Sequence, residues 1–217
     1  PDGDSFGSCL AMKYVLEKLG KNVKLVSKDL LSEALMGMNF AKEIKFGIDI
    51  TKANLNESNI LLCLDTGTPD MIGKYKKNYK IQDGIFVINI DHHHTNSFYG
   101  NLNYVNSEQL STCSILLEFF KEIGIKFDRE LSTRLLLGIC TDSGFFTFKP
   151  NAEKALNQAS FLIQNGGEYL EKIVDPILLH QPLKLKKYYA LLVMKLKINK
   201  EMNFAYSITR EEDIKNA

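Results

Sequence analysis

Two short apolar runs, each followed by an aspartate, are the clearest feature of the hydrophobic pattern. Residues 59–65 read NILLCLD and residues 84–91 read GIFVINID. Mainly apolar runs of this length are too short for most helices and are typical of parallel strands covered by helices on both faces. The segment 69–80 between them, PDMIGKYKKNYK, is predicted to form a short helix, which would complete a right-handed strand–helix–strand crossover.

Helical spacing of apolar residues predicts a series of helices around these two strands. Glycines stand just after three of them, where a left-handed residue often ends a helix. The predicted helices cover 5–19, Thr112 to Ile123, Asp128 to about Cys140, Ala152 to Asn165, 168–175 and 183–197. With a short strand at 23–27 and a helix that would fit 30–38, the pattern predicts an α/β fold whose parallel sheet has helices on both faces.

The pattern changes towards the end of the chain. Residues 203–209, NFAYSIT, alternate like a half-buried strand, and Thr209 with Glu212 would form a capping box that opens a helix. A strand and part of a helix cannot bury an apolar face by themselves. Residues 201–217 are therefore predicted to begin a second, truncated α/β domain.

Composition and charge exclude several classes of partner. The chain has 217 residues, 45% of them hydrophobic, enough for one sizeable core and part of another. Its 27 Lys and Arg against 26 Asp and Glu give a net charge of +1, so no overall field would attract long duplex nucleic acid or an anionic membrane. Without a long apolar run or a secretory pattern, a cytoplasmic protein is expected.

The four cysteines are far apart and form no CxxC pair. They are expected to be buried, reduced thiols rather than disulfides or a zinc site. They are Cys9, Cys63, Cys113 and Cys140.

Ligand-type side chains follow the predicted strands. Ligands of open parallel sheets bind outside the carboxyl ends of the strands, and the segments PDGD, CLD, DHHH and CTD all fall at or near such positions. Carboxylates brought together there would repel one another by roughly several kcal/mol without a cation between them. Oxygen and imidazole ligands without thiolate suit Mn²⁺, Mg²⁺ or Fe²⁺. The candidates are Asp2, Asp4, Asp65, Asp91, His92, His93, His94 and Asp142.

Each of these signals also has a purely structural interpretation. A single aspartate at a strand end is most often a helix cap or a turn residue, and a histidine triplet could lie on a solvated loop. The lysine groups at 74–80 and 184–200 could be solvated helix faces or could attract phosphate. The combination of four separate acidic segments with the triplet favours a metal site.

The motifs resemble those of the DHH phosphoesterase family, which is named for the triad that stands here as Asp91-His92-His93. PDGDSFGS is similar to the first family motif, LLCLDTGTPDMIG to the second and IDHHHTN to the third, while STCSILLEFF with LLLGICTDSGFFTF is similar to the fourth. Order and spacing agree over roughly 1–175. NYVNSEQLST and GICTDSGFF are most similar to the NrnA-type branch, nanoRNA exonucleases that also remove the 3′ phosphate of phosphoadenosine phosphate.

The resemblance implies a site with two divalent ions, Mn²⁺ before Mg²⁺ or Fe²⁺. Asp2 and Asp65 would hold the first ion, with Asp65 as the bridge to the second. His93 would face the reacting phosphate, and Asp91 would orient its neighbours without touching metal. The second ion would be held by Asp4, Asp65, His92 and Asp142.

Two departures from the family pattern bear on activity and substrate. The histidine that the family has three residues before the motif proline lies outside the printed sequence. Met71 stands near a position where the branch commonly has an arginine. His94 lies outside the motif and is given no role.

The expected function is metal-dependent hydrolysis of phosphodiester or phosphomonoester bonds in short RNA oligonucleotides or 3′-phosphoadenosine 5′-phosphate. Cleavage of cyclic or linear dinucleotides, pyrophosphate or polyphosphate is the alternative within the same class. A nucleotide-binding module with impaired catalysis is the alternative from another class. The partner is thus a small nucleotide or oligonucleotide, and a homodimer stays open.

The resemblance also divides the chain. Residues 1–175 would form the DHH domain, with its first strand preceding residue 1. Residues 176–200 would form a linker of helices, and 201–217 would begin a DHH-associated, substrate-binding domain.

Overall fold

The computed structural model describes residues 1–55, 58–73, 84–148 and 152–216. The strands are β1 Val26–Ser27, β2 Lys45–Phe46, β3 Ile60–Leu64, β4 Phe86–Asp91, β5 Leu102–Val105, β6 Lys197–Asn199 and β7 Phe204–Tyr206. Strands β3, β4 and β5 form a parallel sheet in that order, and β1 pairs with β2 in parallel. Strands β6 and β7 form an antiparallel pair. The prediction of an α/β fold with parallel strands is confirmed.

The two apolar runs form neighbouring strands, as predicted. Leu64 of β3 is paired with Ile90 of β4, so both strands end at the same edge of the sheet. Strand β5 extends the sheet beyond β4, with Val105 beside Asp91. The hydrophobic pattern does not predict β5, because an edge strand needs no continuous apolar run and Asn103 interrupts this one.

The connection between β3 and β4 differs from the predicted helix at 69–80. In its described part, up to residue 73, there is one short 3₁₀ helix, Pro69–Met71. The rest of that prediction, with the lysine group at 74–80, lies outside the described residues.

The predicted helices 5–19, 112–123, 128–140, 152–165 and 183–197 are confirmed, with ends shifted by at most three residues. Capping explains several of the starts, since Asp2, Ser111 and Asp128 each accept a hydrogen bond from a backbone N–H of the first turn. Between the fifth and sixth α-helices, Leu170–Leu179 forms a π-helix that contains Pro176. The α-helices are α1 Gly3–Lys18, α2 Glu33–Met36, α3 Thr112–Glu122, α4 Arg129–Asp142, α5 Ala152–Gln164, α6 Leu183–Met194 and α7 Glu211–Asn216.

The core lies where α1, α3 and α4 pack together. Phe6 and Leu10 of α1, Phe120 of α3 and Leu135 of α4 are all at most 1% exposed. Each contributes roughly 1.5–3 kcal/mol from burial of its side chain. This packing brings the first turn of α1 against the last turns of α4, where Asp4 and Asp142 lie.

The cysteines agree with the prediction of free thiols rather than disulfides. Cys63, Cys113 and Cys140 are buried, whereas Cys9 is only half-buried. Burial raises the pKa of Cys63 to about 11 and that of Cys140 to about 12. These two thiols are therefore protonated at neutral pH and have little nucleophilic character.

The last segment contains the predicted strand, β7, followed by a helix, α7. The predicted capping box is wrong in its partners, because the carboxylate that reaches back is Asp213, which accepts from the backbone N–H of Arg210. The Thr209 hydroxyl lies instead 3.2 Å from that of Tyr188. In the described part of the chain, no helix combines the length and apolar character that a membrane span requires.

Candidate metal centre

Four separate elements meet at the carboxyl edge of the central sheet. Asp65 follows β3, and His92 follows the last residue of β4. Asp4 lies in the first turn of α1, and Asp142 is the last residue of α4. Because neighbouring parallel strands end at one edge, residues that follow them are brought together although they are distant in sequence.

His92 lies at the centre of the carboxylates. Its Nε2 is 3.2 Å from Asp142 Oδ2, 3.4 Å from Asp65 Oδ1 and 3.9 Å from Asp4 Oδ2. The His92 side chain is 15% exposed, Asp142 is 23% exposed, and the other two carboxylates are buried. Four of the residues predicted as metal ligands therefore converge on one partly sheltered position.

The described residues contain two overlapping groups whose ligand-type atoms all lie within 4.8 Å of one another. One group is Asp4, His92 and Asp142, and the other is Asp65, His92 and His93. His92 is common to both groups. The prediction that Asp65 bridges two ions, with His93 outside the metal shell, stays a prediction.

Asp2 belongs to neither of these groups. Its Oδ1 caps α1 by accepting from the backbone N–H groups of Asp4 and Ser5, at 3.1 Å and 3.0 Å, and from the Ser5 hydroxyl. Its negative charge nevertheless helps to raise the pKa of Asp142. Asp2 thus lies beside the cluster, and its predicted role as a ligand of the first ion is not tested.

The first turn of α3 holds two of the carboxylates. Asp4 accepts from the backbone N–H groups of Thr112 at 2.6 Å and Cys113 at 2.9 Å, and the Thr112 hydroxyl donates to Asp65 Oδ1 at 3.2 Å. The positive end of a helix dipole favours a negative side chain at this position. Asp65 itself has a left-handed backbone with φ of 56°, and its N–H donates to the Ile90 carbonyl.

Two further residues, which the sequence pattern does not single out, support this arrangement. Thr112 directly follows the capping serine, so its hydroxyl is easily interpreted as part of the helix cap alone. Gly138 lies in the apolar helix α4, where a Cβ atom would overlap Asp4 Oδ1 and Cys113 Sγ. A glycine in the interior of a helical pattern was the available signal, because it usually marks a close approach.

Burial and the mutual repulsion of the carboxylates shift the pKa values within the cluster. Burial, together with the charges of Asp65 and Asp142, raises the pKa of Asp4 well above its ordinary value. Burial also raises the pKa of Asp142 to about 6, with Asp65 and Asp2 adding to the effect. Burial lowers the pKa of His92, but the hydrogen bond to Asp65 and the carboxylate charges outweigh it and raise the value to about 9.

This donor set fits a divalent cation. Carboxylate oxygens and one imidazole match hard or borderline ions, and a cation would relieve the repulsion that raises the acidic pKa values. Imidazole must be deprotonated to bind a metal, so binding would release the proton that His92 holds. The arrangement can therefore hold a metal in competition with that proton.

His93 has a different environment from His92. Its Nδ1 lies 2.7 Å from Asp91 Oδ1 and 3.7 Å from Asp65 Oδ1. Asp91 is completely buried, and its predicted role of orienting its neighbours stays a prediction. The third histidine, His94, is exposed.

Comparison with known proteins gives a family and a set of relatives. Residues 1–139 match the model of the DHH family, N-terminal domain. A Thermus thermophilus protein named bifunctional oligoribonuclease and PAP phosphatase NrnA is 30% identical over 172 residues, which cover 79% of this chain and 49% of that protein. A Thermotoga maritima protein named probable manganese-dependent inorganic pyrophosphatase is 28% identical over 184 residues, which cover 78% of this chain and 32% of that one.

A solved structure shares the fold. The crystal structure of an exopolyphosphatase-related protein from Bacteroides fragilis superposes with a TM-score of 0.83 at 20% identity, covering 100% of this chain and 64% of that chain. The chain thus spans about half of the Thermus relative and less than two thirds of the solved structure.

Proposed function

The chain belongs to the DHH family, and from that premise we propose that it is the metal-binding part of a phosphohydrolase that uses divalent cations. The observation that carries this proposal is the position of His92, with Nε2 within 3.9 Å of three carboxylates from three other segments. Such a cluster of like charges is costly unless a cation lies between them. The named hydrolases among its relatives support the same reaction class.

The proposed ligands are those that converge on His92, namely Asp4, Asp65 and Asp142, with Asp2 as a further ligand of a first ion. Bound divalent ions, Mn²⁺ before Mg²⁺ or Fe²⁺, would supply Lewis acidity and offset charge on phosphate oxygens. The protein's part is to hold these donors ready, through the hydrogen bonds from the start of α3 and the packing of α1 on α4.

His93 is proposed to contact the phosphate during reaction. Its Nδ1 is engaged by Asp91, which leaves Nε2 as the ring atom that can meet a substrate oxygen. A donor fixed near a phosphoryl oxygen stabilises charge that develops as the bond to the leaving group breaks. Asp91 keeps the ring oriented and stays outside the reaction itself.

The proposed substrates are short RNA oligonucleotides or 3′-phosphoadenosine 5′-phosphate, as in the name of the Thermus relative. The near-neutral net charge suits a small anion better than a long polyanion, which would favour a broad basic surface. Hydrolysis of pyrophosphate or polyphosphate is the second candidate, and the name of the Thermotoga relative favours it.

The test is turnover of four substrates side by side with Mn²⁺: a linear dinucleotide, phosphoadenosine phosphate, a cyclic dinucleotide and pyrophosphate. Metal-dependent release of nucleotide or phosphate that is lost in Asp65→Asn would support the proposal. The exposed ion-paired Asp175 offers a matched control, since Asp175→Asn makes the same chemical change away from the cluster and should retain activity. Metal binding without turnover of any substrate would refute hydrolysis and favour a nucleotide-binding module.

A further inference from the structure

The Asn96 side chain is buried and makes hydrogen bonds both to β4 and to its own loop. It lies on the loop after β4 and is 7% exposed. Its Nδ2 donates to Asp91 Oδ2 at 2.5 Å and to Asn89 Oδ1 at 2.8 Å. Its Oδ1 accepts from the backbone N–H of Phe98 at 2.7 Å. Both ends of the amide are therefore engaged, which fixes its orientation.

Asp91 transmits this constraint to the histidines. While Asn96 holds Oδ2, Asp91 Oδ1 lies 2.7 Å from His93 Nδ1 and accepts from the backbone N–H of His92 at 2.9 Å. This carboxylate already accepts from Asn96 at Oδ2 and from the His92 N–H at Oδ1. A ring N–H of His93 completes this set of donors, so the ring proton of His93 is assigned to Nδ1.

The backbone near Asn96 has a strained conformation, and a hydrogen bond to the Asn96 side chain helps to hold it. Phe98 has φ of 53°, a left-handed conformation that costs a bulky residue roughly 1–3 kcal/mol and persists only where the surroundings hold it. The hydrogen bond from Phe98 N–H to Asn96 Oδ1 is one such restraint. Another is the bond from the Ser97 N–H to the Gly67 carbonyl, which ties the loop to the turn after β3.

We propose that Asn96 is a positioning residue for phosphoester hydrolysis, which holds Asp91 so that His93 keeps one ring orientation and one tautomer, with Nε2 free to meet the substrate. This inference rests on the proposed function, in which His93 contacts the phosphate. Asn96 contacts neither substrate nor metal in this scheme. It acts through Asp91, and its loss should change the reaction step more than binding.

Asn96→Ala removes the donor to Asp91 and tests the proposal. We expect kcat to fall at least about tenfold, the size of effect seen when a partner that orients a site residue is removed. KM and the Mn²⁺ dissociation constant should change by less than about threefold, because the three carboxylates that converge on His92 make no contact with Asn96. Asn103→Ala is the matched control, since Asn103 makes two bonds to Gly100 in the same sheet and none to Asp91. Its kcat should stay within about twofold of wild type.

Nitrogen-15 NMR of the His93 ring gives a readout that does not depend on activity. In metal-free protein at a pH where the ring is neutral, wild type should show the proton on Nδ1, and Asn96→Ala should shift it towards a mixture of tautomers. Assignment would come from the signal lost in His93→Gln. A wild-type tautomer spectrum, or a wild-type kcat, in Asn96→Ala would overturn the proposal.

Two further measurements separate positioning from general damage to the loop. Glycine adopts the left-handed conformation without strain, so in Phe98→Gly the loop no longer needs the hydrogen bond to Asn96 Oδ1. Asn96→Ala should still lower kcat in that background. Asp91→Asn combined with Asn96→Ala should cost less than the sum of the single changes, because both act on one chain of contacts. Additive effects would overturn the proposal. If wild type hydrolyses none of the substrates, the proposed function fails, and the tautomer measurement still decides whether Asn96 controls His93.

Discussion

Replacing Asp142 with asparagine is expected to change stability in opposite directions without and with a divalent cation. In metal-free protein, Asp142 is a partly buried carboxylate near two other carboxylates, and its pKa is raised to about 6. Asparagine has the same shape and no charge. The variant therefore loses the repulsion within the cluster, and it also loses a ligand for any cation.

The size of the metal-free effect follows from the pKa. A rise from 3.8 to about 6 corresponds to about 3 kcal/mol of destabilisation when the carboxylate is fully charged. Because the folded-state pKa is raised, this penalty is absent below pH 3.8, grows as the pH rises and is complete above about pH 6. This value already includes the attraction to His92, 3.2 Å away, which lowers the pKa of Asp142. We expect Asp142→Asn to be more stable by about 1–3 kcal/mol at pH 8, and by roughly half as much at pH 5.

The assay is thermal and denaturant unfolding in EDTA and in Mn²⁺. A gain of 1 kcal/mol raises the Tm of a chain of this size by about 2–4 °C, so the metal-free variant should melt roughly 2–12 °C higher at pH 8. At a Mn²⁺ concentration of 1,000 times Kd, wild type should gain about 4.1 kcal/mol, and the variant much less. The order of the two Tm values should therefore reverse when Mn²⁺ is added.

The control for this prediction is a second aspartate–histidine pair. Asp175 lies 2.9 Å from His180, and its side chain is 47% exposed while that of His180 is 74% exposed. Asp175→Asn should change stability by less than about 0.5 kcal/mol in either condition, as for most surface ion pairs. A lower Tm of Asp142→Asn in EDTA at pH 8, or a Mn²⁺ shift equal to that of wild type, would refute the account of the cluster.

Three further predictions concern the support of the site. Thr112→Val removes only the hydroxyl that donates to Asp65 and should weaken Mn²⁺ binding about 10–100-fold by calorimetry, whereas Thr112→Ser should bind nearly as wild type. Mn²⁺ affinity should rise with pH up to about 9, because His92 must lose a proton to bind, and a flat profile between pH 6 and 9 would contradict this. Gly138→Ala should lower stability by about 1–3 kcal/mol and weaken metal binding, since its methyl group has no room; Gly37→Ala, where the methyl makes only ordinary contacts, should do neither.

The sequence predicts the ends of β3 and β4 because both strands are mainly apolar and become more buried towards their carboxyl ends, and an aspartate ends each run at the edge of the sheet. The side chains that hydrogen-bond to these aspartates are harder to identify from the sequence. Thr112 and Asn96 are single polar residues in loops or helix starts, where hydroxyl and amide groups are common for local reasons. Their partners, Asp65 and Asp91, are 47 and 5 residues away, and only the folded arrangement selects those contacts.

An aspartate that could either cap a helix or bind a metal sets another limit on prediction from the sequence. Asp2 was predicted as a metal ligand from its motif, and it is also a good helix cap, with Oδ1 bonded to the first turn of α1. A sequence cannot separate the two roles, because both require a short carboxylate at the same position. Asp4, two residues later, is buried and accepts its hydrogen bonds from α3 instead. The local pattern is nearly identical for both, and distant packing decides which one joins the cluster.

The three consecutive histidines differ because the strand ends beneath them. Successive residues leaving a strand point in different directions, so His92 turns towards the carboxylates from the helices and His93 turns back to Asp91. His94 is the first residue beyond these contacts and is exposed. A metal site needs an imidazole without a proton on the ligating atom, whereas a group that meets phosphate needs a fixed proton. The proposed roles of two neighbouring histidines therefore require different surroundings, and the contact of His93 with Asp91, which Asn96 also bonds, is one such difference.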